Sequence, residues 1–265
     1  MVGGRKTVPL FVSAQRNELL KEDNSDETDE PRRGWLRNAG LLIGGMAALS
    51  TAPRLVAQGK GRAATKKGDE NEKISLAEDL MREHGVLKRV LLIYRAIMNR
   101  IDSKRDFPPD VISSSAKLIR ASVEDYHEKL EEDYLFPRFR KANKLVDLVD
   151  VLNQQHQKDR VLTDRTIQLA SPSVLKEARQ RANLRNMLYQ FVRMYEPHEA
   201  REDTILFPAF WKIVSEHEYD ALGEEFEKKE NQLFHGDGFE KNVDAVAKLE
   251  KELGIYDLAQ FTPTV

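Results

Sequence analysis

Two stretches of the chain share one pattern: HEKLEEDYLFPRF from His127 to Phe139, and HEAREDTILFPAF from His198 to Phe210, 71 residues further on. Each opens with a histidine followed four residues later by a glutamate, His127 with Glu131 and His198 with Glu202. Positions i and i+4 of a helix share a face, so each pair points an imidazole and a carboxylate the same way. The repetition is either a duplicated structural unit or half a metal site used twice. Two more histidines extend it, since His84 stands 43 residues before His127 and His156 stands 42 before His198. The remaining two, His217 and His235, lie on polar sequence near the C-terminus and read as surface residues.

A single histidine on an apolar face is ordinarily a core residue with one hydrogen bond. Four of them, two with a glutamate at i+4, ask for more. A carboxylate in a core is costly without compensation, and two among four imidazoles are explained by a cation. Nitrogen donors with carboxylates suit a first-row transition metal, and two carboxylates suffice to bridge a pair of ions. The chain has no cysteine. That excludes disulfides, iron–sulfur clusters, Cys-type zinc sites and cysteine nucleophiles, and leaves His, Asp, Glu and Tyr as donors.

The elements that must position these groups follow from a 3.6-residue period that begins near Lys73. Leu80, His84, Leu87, Leu91, Tyr94, Met98 and Ile101 make one stripe, broken at Pro108-Pro109. Ile112, Ala116, Ile119, Val123, His127, Leu130 and Tyr134 make a second, ending near Phe139. Leu145, Val149, Leu152, His156, Thr163 and Ile167 make a third, and Leu184, Leu188, Phe191, Tyr195, His198, Glu202 and Ile205 a fourth. Pro197, inside the last stripe, predicts a kink just before His198. Connections are short, so neighbours run antiparallel. The expected fold is all-α: an up-down-up-down four-helix bundle over 73–214, with a helical extension over 215–265 that packs outside it. That extension reads as a helix from Glu216 to Phe234 and another near Lys241 to Leu253. Leu and Phe of the two LFP triplets pack the closed end of the bundle, and Pro137 and Pro208 kink or end their helices. Tyr94, Tyr126, Tyr134 and Tyr195 are core residues or donors to the site, since a buried hydroxyl needs a partner.

The first 72 residues read differently. Residues 1–31 are polar with an acidic run, NSDETDEP, and read as a disordered leader. Residues 32–57 open on Arg32-Arg33-Gly34-Trp35-Leu36-Arg37 and continue into an apolar stretch, Ala39 to Ala52, that is too short to span a bilayer. This segment resembles a twin-arginine export signal, which implies the twin-arginine machinery as a partner and a periplasmic location, or a membrane anchor if the signal is uncleaved. Residues 58–72 read as a linker. A net charge of −2 gives no argument for nucleic acid.

REHGVLKRVLLIYR around His84, HEKLEEDYLFP, LNQQHQKD around His156 and YEPHEAREDTILFP together resemble the hemerythrin-like, HHE cation-binding domain, over roughly residues 73–234. The resemblance implies a four-helix bundle holding a non-haem centre of two Fe ions, oxo- or hydroxo-bridged. It makes His84, His127, His156 and His198 the imidazole ligands and Glu131 and Glu202 the bridging carboxylates. Glu128, where some iron-sensing relatives use a carboxylate, and its counterpart Glu199 are additional ligand candidates, expected to face solvent or to support the ligands, as is Tyr195. Oxygen-carrying hemerythrins have a second histidine on helix three where this chain has Arg160. One imidazole fewer favours redox or sensing behaviour over simple reversible oxygen carriage.

The leading expectation is a non-enzymatic di-iron protein that binds or senses dioxygen, nitric oxide or iron itself. A di-iron oxidase or peroxidase of the ferritin-like sort is the alternative, but its Glu-x-x-His motif occurs only once, at Glu124 and His127, because Tyr195 precedes His198 at that spacing. A third reading is a metal-free helical interaction module.

Overall fold

The computed structural model describes residues 74–265. The leader, the twin-arginine-type segment and the linker lie outside the described residues. Those described form six helices and no strand. Helix α1 is Leu76–Asp102, α2 runs over 109–141, α3 is Val146–Leu169, α4 runs over 178–210, α5 is Glu216–Phe234 and α6 is Gly238–Leu253. None is long and apolar enough to cross a membrane.

Helix starts follow local chemistry. Ser75, Ser215 and Asp237 each cap a helix by accepting the backbone N–H of a glutamate three residues on, Glu78, Glu218 and Glu240. Pro109 opens α2, where its missing N–H costs nothing. The Asp237 cap explains why α6 begins at Gly238, ahead of the expected start near Lys241.

Helices α1 to α4 form the bundle, and the core is split. One apolar cluster takes Val86 to Met98 of α1, Val111 to Val123 of α2, Leu162 and Ala170 of α3, and Leu184 to Tyr195 of α4. The other takes Leu76 and Leu80, Tyr126 to Phe139, Val149 and Leu152, and Leu206 to Phe210. The LFP residues Leu135, Phe136, Leu206 and Phe207 all lie in this second cluster. On every helix the histidine falls near the join, so a polar layer is held between two apolar plugs. Truncating a leucine in either plug to alanine costs about 2–5 kcal/mol.

Helix α4 continues unbroken through Pro197, so the α register is not interrupted there. The interruption comes at Glu202–Leu206, and its counterpart at Glu131–Leu135, where the chain adopts π-helical turns. There the N–H of Phe136 reaches the Glu131 carbonyl, and that of Phe207 reaches Glu202. The wide turn stands ahead of Pro137 and Pro208, whose rings would otherwise press on the carbonyls of Asp133 and Thr204. A longer π segment, Ile119–His127, leads into the first histidine of α2. The prolines therefore widen their helices without ending them.

Helix α6 lies on α1 and α2, with Val246 and Leu253 in the first apolar cluster. The Arg89 guanidinium donates to Glu250 at 2.5 Å, and Arg100 donates to the Leu253 carbonyl at 2.5 Å. Helix α5 adds Tyr219, Leu222 and Phe226 to the second cluster.

Candidate metal centre

The six residues expected to hold metal meet in the polar layer, all buried. His84 and His127 form one pair, with Nε2 atoms 3.1 Å apart. His156 and His198 form the other, with ring centroids 5.2 Å apart. The two glutamates reach both pairs. Glu202 places Oε2 3.4 Å from His84 Nε2 and Oε1 3.0 Å from His198 Nε2. Glu131 places Oε1 3.9 Å from His127 Nε2 and Oε2 3.4 Å from His156 Nε2. Glu131, His156, His198 and Glu202 form one group of mutually close donor atoms, and His84, His127 and Glu202 another.

Each imidazole is aimed by a second bond, at Nδ1. His84 donates to Asp203 at 2.7 Å, His127 to Glu83 at 2.6 Å, His156 to Glu132 at 3.2 Å and His198 to Gln155 at 2.8 Å. With Nδ1 carrying the proton, Nε2 is left as a lone pair facing the layer, as in a metal-binding histidine. The sequence reading missed these four acceptors. Each adjoins a ligand in the chain and serves an imidazole on a neighbouring helix. They also obey the internal repeat, Glu83 matching Gln155 and Glu132 matching Asp203. That periodicity was the available signal.

Electrostatics agree with a site built for positive charge. Neither carboxylate oxygen of Glu131 or of Glu202 meets a hydrogen-bond donor among the described residues. Burial, then the charge of Glu202, pushes the Glu131 carboxyl well above its ordinary range. Burial also opposes ionisation of Glu202, but His198 and His84 outweigh it and hold that group ionised. Burial pulls His84 down, yet its hydrogen bond to Asp203 and the nearby Glu202 carboxylate raise it to about 9, while burial and the His84 charge hold His127 well below its ordinary value. Four imidazole lone pairs and two unpaired carboxylates in a buried layer fit first-row transition ions and not the oxygen-only cages of calcium or magnesium.

The additional candidates sit around this core. Glu128 and Glu199 are both buried, not solvent-facing. Glu128 accepts from the Tyr195 hydroxyl at 2.7 Å and pairs with Arg160 at 2.8 Å. Glu199 lies 3.8 Å from Lys88, and burial lifts its carboxyl to about 7 against the pull of that lysine. Tyr195 also reaches Asp159 at 2.8 Å, so its oxygen is occupied by carboxyl groups. Arg160 donates to Glu132 at 2.8 Å and thereby steadies the acceptor of His156. Glu124, the carboxylate of the lone Glu-x-x-His motif, is buried and pairs with Arg120 at 3.0 Å. Tyr126 donates to the Phe226 carbonyl, whereas the buried Tyr94 hydroxyl has no partner among the described residues. His217 and His235 are exposed.

Comparison with known proteins agrees with this layer. The Hemerythrin HHE cation binding domain matches residues 75–173, which carry His84, His127, Glu131 and His156. His198 and Glu202 lie beyond the match and complete the layer through the repeat. Uncharacterized protein Rv1995 of Mycobacterium tuberculosis is 46% identical over 233 residues, covering 88% of this chain and 91% of that protein. Uncharacterized protein Mb2018 of Mycobacterium bovis aligns with the same identity and coverage. No solved structure matches the chain. The chain thus belongs to one family with these mycobacterial proteins and carries within it a hemerythrin HHE cation binding domain.

Proposed function

We propose that the polar layer holds two iron ions and that the protein binds or senses a diatomic ligand, dioxygen or nitric oxide. One observation carries this reading: Glu131 and Glu202 each direct one oxygen to the His84/His127 pair and the other to the His156/His198 pair. The group of Glu131, His156, His198 and Glu202 would hold one ion and that of His84, His127 and Glu202 the other, with three or four protein donors to each. First-row ions accept more, so room remains at each for an outside ligand. Iron supplies reversible redox change and affinity for such ligands. The chain's part is to hold the imidazoles at fixed orientation through Asp203, Glu83, Glu132 and Gln155. It also keeps bulk water out by closing the layer with apolar residues on both sides.

Arg160 refines the reading. Its guanidinium is spent on Glu128 and Glu132, so both histidine pairs contribute equally, and neither ion is enriched in nitrogen. This even donor set favours sensing or redox exchange over simple oxygen carriage. Export by the twin-arginine route, which carries folded proteins, fits a centre loaded before translocation and forms part of the same proposal.

Metal analysis with an ultraviolet–visible spectrum, on protein purified with and without air, tests it. About two irons per chain and bridged-iron charge-transfer bands are the expected result. His127→Ala and Glu202→Ala lose both; variants that keep their iron refute the ligand set.

A further inference from the structure

Helix α4 carries its charge unevenly. Residues 178–194 hold four arginines and no acid, in a chain whose net charge is −2. Arg185 pairs with Asp102 and Arg181 with Asp106, at the end of α1 and just beyond it. Arg193 instead faces an open groove of about 530 Å³ between α3 and α4, which it lines together with Lys158 and Arg165 of α3. All three cations are exposed, and none has an ion-pair or hydrogen-bond partner among the described residues. The acids nearest to them in the chain are committed elsewhere. Asp159 is buried, Asp164 pairs with Arg120 of α2, and Glu196 pairs with Arg95 of α1.

The groove meets the candidate centre at one residue. Gln155, part of its lining, accepts the Nδ1–H of His198 at 2.8 Å. The outer acceptors of the other three imidazoles are carboxyl groups, Asp203, Glu83 and Glu132. An acidic surface is repelled at those three and meets no fixed negative charge at Gln155. Lys158 and Arg165 stand about 10 Å apart along α3, with Val161, 46% exposed, between them. Cations spread in this way around an apolar patch match a surface that bears several carboxylates, whereas one small anion needs its cations to converge on it. The concavity also suits a protruding protein surface better than a flat bilayer.

We propose that the groove between α3 and α4 docks an acidic one-electron carrier protein, and that electrons enter the centre there, beside Gln155 and His198. The proposal rests on the di-iron reading above and adds to it an entry point and the chemistry of the redox partner. One electron leaves the reduced carrier and converts one ferric ion to ferrous, leaving the carrier oxidised; no bond to the chain is made or broken. Lys158, Arg165 and Arg193 steer the carrier, and Val161 and Met194 supply the apolar contact. Transient redox contacts of this kind are small and owe their rate to complementary charge.

The test uses the full chain, iron-loaded and metal-free, with two probes: a plant-type ferredoxin as the acidic carrier and cytochrome c as a basic one. Binding is titrated on both forms, and electron transfer to the loaded form is followed by stopped-flow absorbance. Wild type is expected to prefer ferredoxin and to bind it more weakly as salt rises. The double variant Lys158→Glu, Arg193→Glu changes exposed positions where folding is little affected. It is expected to weaken ferredoxin binding in both forms and to slow reduction by ferredoxin about tenfold. Iron content and helical circular dichroism should stay at wild-type values. Equal response of wild type to the two carriers, or a double variant with wild-type binding and rates, overturns the proposal. So does a variant whose binding falls while its rate does not, since electrons then enter elsewhere. Phosphatidylglycerol vesicles that bind through the same cations, with no binding of ferredoxin, also overturn it in favour of a lipid-facing surface. A wild-type chain without iron defeats the di-iron reading instead. Ferredoxin binding by that metal-free chain, lost in the double variant, still supports the docking face, and its absence ends it.

Discussion

His84 on α1 donates its Nδ1–H to Asp203 on α4 at 2.7 Å. Asp203 follows Glu202 directly, so one turn of α4 supplies both a carboxylate to the layer and the anchor of an imidazole across from it. Carboxylates that accept from the outer nitrogen of a metal-binding imidazole fix ring orientation and raise ligand basicity, and their loss typically costs about 10–100-fold in metal affinity. Asp203→Ala should therefore weaken iron binding on that scale while leaving helical content unchanged. Competition against a chelator of known affinity measures it. Wild-type affinity in the variant would show that the hydrogen bond orients nothing of consequence.

Glu131 makes the opposite demand on stability. It is fully buried beside the ionised Glu202, and both burial and that neighbour disfavour its charge. Glu131→Gln removes the repulsion, so the metal-free variant should melt higher than the metal-free wild type. It should also lose the rise in melting temperature that iron gives the wild type, since a ligand binding only the folded state stabilises it by mass action. Paired thermal melts, with and without added ferrous iron, separate the two effects. A variant that is less stable without metal contradicts the account.

Much of this was legible in the sequence, because the bundle rests on apolar periodicity. Leu80, Leu87 and Leu91 fix the inner face of α1, and His84 interrupts them at the same phase. The inward direction of His84 therefore needed no structure. At Pro197 the helix runs on without ending. The π turns at Glu131–Leu135 and Glu202–Leu206 leave little trace in residue type, since they differ from α-helix only in which carbonyl each N–H meets. Glu83 and Glu132 carry no mark of a role on their own helices. They become acceptors for His127 and His156 only once a neighbouring helix is set beside them. Glu128 and Glu199, expected either to face solvent or to support the ligands, are both buried.

Asp159 gives a pH dependence of definite sign. Its carboxyl is fully buried, and burial, then the charges of Glu128 and Glu124, raise it well above the ordinary value of 3.8 despite the hydrogen bonds from Tyr195 and Thr163. The folded state thus holds a proton that the unfolded chain gives up. Stability falls as pH rises from near 3.8 through the raised value, and the penalty persists above it. Asp159→Asn keeps the shape and a partner for the Tyr195 hydroxyl but cannot ionise. It should be more stable than wild type near neutral pH, with the advantage shrinking toward pH 4. Chemical denaturation of the metal-free proteins across that range checks the prediction; a pH-independent difference would show that Asp159 ionises normally.

Helix α6 depends on one ion pair. Arg89 donates to both oxygens of Glu250, at 3.1 and 2.5 Å, and Glu250 is almost wholly buried against α1. Removing the arginine strands a carboxylate in an apolar surround, a change that costs about 3–5 kcal/mol for a fully buried pair. Arg89 keeps 28% of its side chain in solvent, so Arg89→Ala is expected to cost less, about 2 kcal/mol. Glu250→Gln, which leaves no orphaned charge, should cost less still. The loss should be local. Hydrogen exchange is expected to rise in α6, where Val246 and Leu253 lose their seat, while amides around His156 and His198 keep their protection. Equal acceleration in α3 and α6 would mean that the C-terminal helix and the bundle open as one unit.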